Sequence, residues 1–299
     1  SPADGGGKTS SSPVFGGGVL GQGFGLGFAP DGTMWSGNFG WGGDDPVDQN
    51  GDPGGSVSHL TGTGKPLSPA WGFTSNLLKV QGTVSDRHGN IWMASFANSG
   101  VQVFPHGDAA TGVPLYQDPD NAQPFDIRLD ADGSPWVSYN VSSTVTKFAL
   151  SADGPHPQFT VTVGTPPART PAPVHITGGP KGLAVDSHGN AWITHGDDNA
   201  VYAFDRSGNP IGKFSGGGMD GPWGASTDSD GTVWVANFGP LGPWTGKPRI
   251  TQLCGADTAR CPAGLSTGDP ISPATGWTLP SGGDEVRLHD GHPLYYPLP

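Results

Sequence analysis

The chain has 299 residues, 52 of them Gly and 31 Pro, and a formal charge of −12 from 14 Lys and Arg against 26 acidic residues. Gly and Pro at this density break helix interiors and exclude a mostly helical protein, while ten Trp and thirteen Phe are too many aromatics for a disordered chain. The deficit of cations excludes a nucleic-acid binder that grips phosphates, and no apolar run approaches the roughly 18 residues of a membrane-spanning helix.

Residues 1–12, with Gly5, Gly6 and Gly7 in a polar tract, read as a flexible lead, and Ser1-Pro2-Ala3-Asp4 as a terminus left by processing. Residues 13–299 read as one all-β domain. Its organising signal is an internal repeat: an apolar strand, a turn ending in Gly, and a Trp three residues after that Gly. The first copy is Ala29-Pro30-Asp31-Gly32-Thr33-Met34-Trp35. Asp86 to Trp92, Asp130 to Trp136, Asp186 to Trp192 and Asp228 to Trp234 repeat it with an Asp-x-x-Gly turn. The five Trp lie 57, 44, 56 and 42 residues apart, the length of a four-stranded propeller blade with loop insertions in the longer units. In each copy Gly supplies the positive φ of the turn and Asp binds nearby amides. The Trp is expected to fill the gap between neighbouring sheets.

Between the first two copies lies an acidic loop, Gly43 to Asp52. Its Asp48, Asn50 and Asp52 alternate as the oxygen ligands of a Ca²⁺ loop do, although the distal Glu of a full loop is missing; a bare acidic loop is the competing reading. Near the C-terminal end Cys254 and Cys261 are spaced for a disulfide closing a surface loop rather than for a metal, which implies an oxidising compartment and a secreted or periplasmic protein. Gly64 to Ala70 matches Gly268 to Ala274, so the first and fifth blades share an insertion. Arg287 to Tyr295 is a degraded sixth copy. The expectation is a six-bladed propeller of four-stranded antiparallel blades, closed by a strand from around Pro13 to Leu20 pairing with the C-terminal strands so that no edge stays bare.

The string Gly179-Pro180-Lys181-Gly182-Leu183-Ala184-Val185-Asp186-Ser187-His188-Gly189-Asn190-Ala191-Trp192-Ile193-Thr194 resembles the NHL-repeat propellers, and most of all the virginiamycin B lyase-like branch; the likeness extends in repeated form over residues 24–240. The resemblance implies the propeller fold. Related propellers include lyases, hydrolases and sensor or scaffold domains. For the lyase it implies a catalytic Mg²⁺ with His and Glu side chains at the propeller centre. The only Glu in this chain is Glu285, and the family's Thr-Glu after the Trp strand is Thr194-His195 here.

Register locates the positions where a ligand would sit. Eight residues before the turn Gly come Phe24, Gln81, Phe125, Lys181 and Trp223; seven before come Gly25, Gly82, Asp126, Gly182, Gly224 and, in the sixth copy, Asp284; three after each Trp come Asn38, Ser95, Tyr139, His195 and Asn237. These vary while the scaffold repeats, and such local exceptions are where sites are expected. Aromatic faces beside amides and carboxylates suit a glycan, a peptide or a small cyclic ligand. His195, Asp126 and Asp284 are the candidates for acid–base chemistry. The leading expectation is a secreted monomer that binds a small-molecule or glycan ligand at the central face. A lyase or hydrolase helped by a divalent cation at the same face and a protein-docking scaffold are the alternatives.

Overall fold

One side chain builds each of four repeated turns. Asp186 Oδ1 accepts the backbone N–H of His188 and of Asn190, both at 2.9 Å, and Oδ2 accepts the Asn190 amide at 2.9 Å and the Trp192 indole N–H at 3.1 Å. Asp86 repeats the set, and Asp130 and Asp228 repeat its core. The turn glycines Gly89, Gly133, Gly189 and Gly231 have φ between 75° and 82°, as the motif requires. In these four sheets the Asp six residues before the Trp therefore fixes both the turn and the indole.

The computed structural model describes residues 23–39, 55–69, 72–74, 76–110, 115–120, 122–166, 178–239, 249–278, 285–289 and 292–296. The lead, the acidic loop with Asp48, Asn50 and Asp52, the expected closing segment 13–20, and Asp284 lie outside them. Among the described residues the fold is all-β, with two single 3₁₀ turns, at Pro105–Gly107 and Thr258–Arg260.

Sheet one joins β1 (Gly23–Phe28), β2 (Met34–Asn38) and β3 (Ser56–Leu60). Sheet two joins β4 (Val80–Ser85), β5 (Ile91–Ser95), β6 (Gly100–Phe104) and β7 (Tyr116–Gln117). Sheet three joins β8 (Pro124–Leu129), β9 (Pro135–Tyr139), β10 (Thr144–Ser151) and β11 (Gly154–Thr162). Sheet four joins β12 (Pro180–Val185), β13 (Ala191–His195), β14 (Ala200–Phe204) and β15 (Pro210–Phe214). Sheet five joins β16 (Pro222–Thr227), β17 (Val233–Asn237), β18 (Arg249–Leu253) and β19 (Trp277–Thr278). All pair antiparallel in chain order. A hairpin of β20 (Glu285–His289) and β21 (His292–Tyr296) follows.

The insertion shared by sheets one and five has one geometry. Val57 bridges Phe73 and Leu60 bridges Pro66 in sheet one; Ile250 pairs with Trp277 and Leu253 with Pro270 in sheet five. Ser68 Oγ accepts the His59 N–H at 2.9 Å, and Ser272 Oγ accepts the Gln252 N–H at 3.0 Å. Sheet one thus completes itself with isolated bridges where sheet five forms a fourth strand.

The first strands β1, β4, β8, β12 and β16 stand side by side in that order, so the sheets are arranged radially around their inner strands. Close approach needs glycine at one level: a Cβ on Gly82 would lie 2.8 Å from Ile127 Cγ2, and one on Gly182 would meet the Trp223 carbonyl and lie 2.6 Å from Gly224 Cα. The core lies between sheets. Trp35 packs on Ile91 and Met93 of sheet two, Trp92 on Ile127 and Val137 of sheet three, Trp136 on Leu183 and Ile193 of sheet four, and Trp192 on Val233 and Val235 of sheet five. The second strands β5, β9 and β13 are buried on both faces, since each sheet has a neighbour on either side. Burying one such large side chain removes enough apolar surface to contribute about 1.5–3 kcal/mol, which is why the repeat conserves the spacing of Trp along this chain.

Candidate functional site

All five inner strands slip register at the same place. The pairing of first with second strand breaks between Gly23 and Leu26, Val80 and Gly82, Pro124 and Ile127, Pro180 and Leu183, and Pro222 and Gly224. The residues at the break are Phe24, Gln81, Phe125, Lys181 and Trp223. A bulge re-aims the side chain it carries, and here it occurs at the end of the molecule where every inner strand begins.

Gln81, Phe125, Asp126, Arg128, Gly182, Trp223 and Gly224 line a cavity of about 160 Å³ at that end. Phe125 meets Trp223 edge-on, with ring centroids 5.6 Å apart, although they belong to sheets three and five. The rings therefore lean across sheet four, whose own residue there, Lys181, sits with Nζ 5.0 Å from the Trp223 centroid. The aromatic series continues through Phe96, 6.3 Å from Phe125, and Phe39, 5.5 Å from Phe96; Phe238 stacks on Trp223 at 4.7 Å.

Among the described residues Asp126 is the one carboxylate that lines this cavity. Its Oδ1 accepts the N–H of Ile127 at 2.8 Å and of the Arg128 guanidinium at 2.7 Å, and its Oδ2 accepts the N–H of Leu183 at 3.0 Å. Burial pushes its carboxyl above the ordinary value, against Arg128 and the two backbone donors, which pull the other way. Lys181 is buried, and its Nζ has no hydrogen-bond partner among the described residues. Burial pushes its ammonium down to about 8, with Asp197 opposing. The Gln81 Oε1 atom is likewise buried without a partner.

The positions three after each Trp behave differently. Asn38, Ser95, Tyr139, His195 and Asn237 are all buried and pair with the residue just before each bulge. Asn38 donates to Ser56 and Ser58, Ser95 accepts the Leu78 N–H, and Asn237 binds Asp220 N and Thr251 Oγ1. His195 is wholly enclosed: Nδ1 accepts the Asp198 N–H at 3.3 Å, and Nε2 lies 3.2 Å from Ser143 Oγ. Burial lowers its pKa despite Asp198 and Asp197. Tyr139 has no partner for its hydroxyl among the described residues, and burial raises its pKa well above the usual phenol value. None of the five lines the cavity. For Phe24 the structure describes the backbone alone.

Cys254 and Cys261 form the expected disulfide. Among the described residues no group of three or more His, Cys, Asp or Glu side chains could hold a metal ion, and the Asp126 oxygens are engaged by N–H donors. The described residues therefore do not make a centre that fits the Mg²⁺ the resemblance implies.

Four contributors carry no signal at the register positions that locate the mouth: Arg128, Phe39, Phe96 and Phe238. Arg128 is the only charged residue at its register among Gly27, Val84, Ala184 and Ser226, the same kind of exception that drew attention to Asp126. Phe39, Phe96 and Phe238 stand four after their Trp, one place beyond Asn38, Ser95 and Asn237.

Radial sheets with side chains gathered at the start of the inner strands define a β-propeller. The chain is similar in structure to virginiamycin B lyase from Staphylococcus aureus (TM-score 0.53, 16% identity, covering 77% of this chain and 66% of that one). A catalytically inactive form of that lyase has been solved with quinupristin at a similar likeness. A putative 6-phosphogluconolactonase from Bacteroides uniformis (TM-score 0.57, 14% identity, covering 88% and 74%) and a nidogen/laminin complex (TM-score 0.52, 12% identity, covering 84% and 80%) share the architecture. The chain spans about two thirds of the length of the first lyase structure. No family model and no curated protein sequence matches it. At these identities the likeness is one of fold.

Proposed function

We propose that the protein binds a small cyclic ligand or a glycan at the mouth of the inner strands. The observation that carries this reading is the pair of buried polar atoms, Gln81 Oε1 and Lys181 Nζ, left without partners beside Phe125 and Trp223. An unsatisfied buried polar group costs about 1–3 kcal/mol, and a ligand offering a hydroxyl or carbonyl recovers it. Phe125 and Trp223 offer apolar faces to a ring, and Arg128 supplies further donors. A cavity of 160 Å³ is below the roughly 300–1,000 Å³ of pockets that enclose a whole drug-sized ligand, so it seats one ring of a larger molecule.

Calorimetric titration with a panel of mono- and disaccharides and with quinupristin tests this. At least one should saturate, and Trp223→Ala and Gln81→Ala should each weaken it about tenfold or more. Absence of saturation by every member, or full affinity in both variants, overturns the reading.

The enzymatic alternative draws support from a different observation, the buried carboxyl of Asp126 whose proton affinity is raised. A lyase or hydrolase would use Asp126 as acid–base group, with Asp284 and any divalent cation drawing on residues outside those described. His195, enclosed by Ser143 and Asp198, serves as a positioning group in this reading.

A sixth blade formed by β20, β21 and the N-terminal segment would stand between sheets five and one. Leu26 and Phe28 on β1 are 53% and 66% exposed, and Phe238 at the end of β17 is 40% exposed, apolar surface that such a blade would cover. The disulfide fits a secreted protein, and among the described residues no helix is long and apolar enough to cross a membrane.

A further inference from the structure

The opposite end of the molecule, where the first strands turn into the second, carries a cleft of about 280 Å³ between sheets one and two. It lies where the repeat breaks. Ala29 stands in the place of the Asp that takes the Trp indole in the other four sheets. Without that carboxylate Trp35 stacks instead on His59, with centroids 3.9 Å apart and planes 13° from parallel. His59 is the register equivalent of Gln252, which reaches Thr232 Oγ1 in its own turn at 3.1 Å; the His59 Nε2 atom is buried with no partner among the described residues. Arg87, His88 and His106 form the facing wall.

Arg87 on this wall is a donor, and His59 and His106 each keep one ring nitrogen uncommitted among the described residues. Arg87 gives its Nε–H to His88 Nε2 at 3.2 Å, which leaves its terminal amino groups. His106 holds the His88 carbonyl through Nδ1 at 3.0 Å, which leaves Nε2. The one carboxylate at the rim, Asp31, already accepts the Thr33 N–H at 2.9 Å and the Thr33 hydroxyl at 2.7 Å. In a chain of charge −12 with only 14 Lys and Arg, a guanidinium here stands beside three imidazoles, each a hydrogen-bonding group that adds positive charge only when protonated; burial works against that protonation at His59. Among the described residues no group of three or more His, Cys, Asp or Glu could hold a metal ion.

We propose that this cleft binds a small oxyanion-bearing ligand, a carboxylate or a phosphate, held by Arg87 with His59 and His106 beside it. The omission of Asp at position 29 opens both the space and the charge balance for it.

The test is titration of the full chain at pH 6 with inorganic phosphate and, separately, with glucuronate, using glucose as the neutral control and following histidine ring resonances by NMR. One or both anions should saturate with shifts in the His59, His88 and His106 ring resonances, and which does identifies the source of the oxyanion; glucose, even where it binds the mouth of the inner strands, should leave these three unmoved. Arg87→Gln, on an exposed side chain, should weaken binding about tenfold or more. Ala29→Asp should do the same while leaving the melting temperature unchanged or raised, because it restores the indole partner used in four other sheets. Binding by neither anion, equal shifts of the three cleft histidines by glucose, or undiminished binding by Arg87→Gln overturns the proposal, and this last variant decides the matter should Ala29→Asp fail to fold.

Discussion

Asp126 Oδ2 accepts the backbone N–H of Leu183 at 3.0 Å, so one carboxylate links the inner strands of sheets three and four. Its register equivalents in the other four sheets, Gly25, Gly82, Gly182 and Gly224, are glycines. Asp126→Ala leaves the Leu183 and Ile127 N–H groups without that acceptor and should cost about 1–3 kcal/mol in urea unfolding at pH 7. Asp126→Asn keeps one acceptor oxygen and should cost less. Equal stability of the alanine variant and the wild type would show that the link carries no weight.

Gly182 and Gly133 should respond differently to alanine. A Cβ at Gly182 meets the Trp223 carbonyl and the Gly224 backbone, so Gly182→Ala must push β12 from β16 at about 1–3 kcal/mol or more, with a changed near-UV circular dichroism from Trp223. Gly133 has φ 82° and nothing near; its alanine variant should lose only the roughly 1–2 kcal/mol of a left-handed conformation, with an unchanged aromatic spectrum.

Lys181 predicts a pH dependence in the alkaline range. Burial holds its folded pKa at about 8 against 10.5 for the free side chain. Between those values the unfolded state binds the extra proton, so stability rises with pH through that window; below it the full penalty, roughly 3 kcal/mol, applies. Lys181→Met keeps the contact with Trp223 and removes the charge. It should be more stable than wild type at pH 7 and show no such rise, measured by urea midpoints from pH 7 to pH 10. A less stable methionine variant would mean that the ammonium is paired.

Asp186 carries four donors. Its replacement by Ala leaves the buried indole N–H of Trp192 and the Asn190 amide unpaired, at about 1–3 kcal/mol each, so a loss of roughly 3 kcal/mol or more is expected. Asp31→Ala, at an exposed turn without a Trp to hold, should lose well under half of that. Thermal unfolding of the two variants side by side decides it.

The radial fold was legible because each Asp-x-x-Gly turn and its Trp form one hydrogen-bonded unit, so spacing along the chain reproduces spacing in the sheets. The mouth positions Gln81, Phe125 and Trp223 were legible for the same reason. The positions three after Trp lie apart from the cavity at the mouth because the second strand still pairs there: Asn38 faces Gly23 and Asn237 faces Pro222, and the strand ends at this level, one residue before Phe39, Phe96 and Phe238. His195 is closed in by Ser143, a contact across 52 residues that no local pattern announces. Arg128 is itself an exception in the repeat but stands two places along from the register of Asp126.

The recurrent slip in the inner strands separates two jobs that a regular strand would combine. Because residues 24, 81, 125, 181 and 223 sit at the break in pairing, their side chains can be exchanged without altering the ladder that supports them. A library varied at these five sites alone would recast what the mouth recognises on an otherwise constant frame.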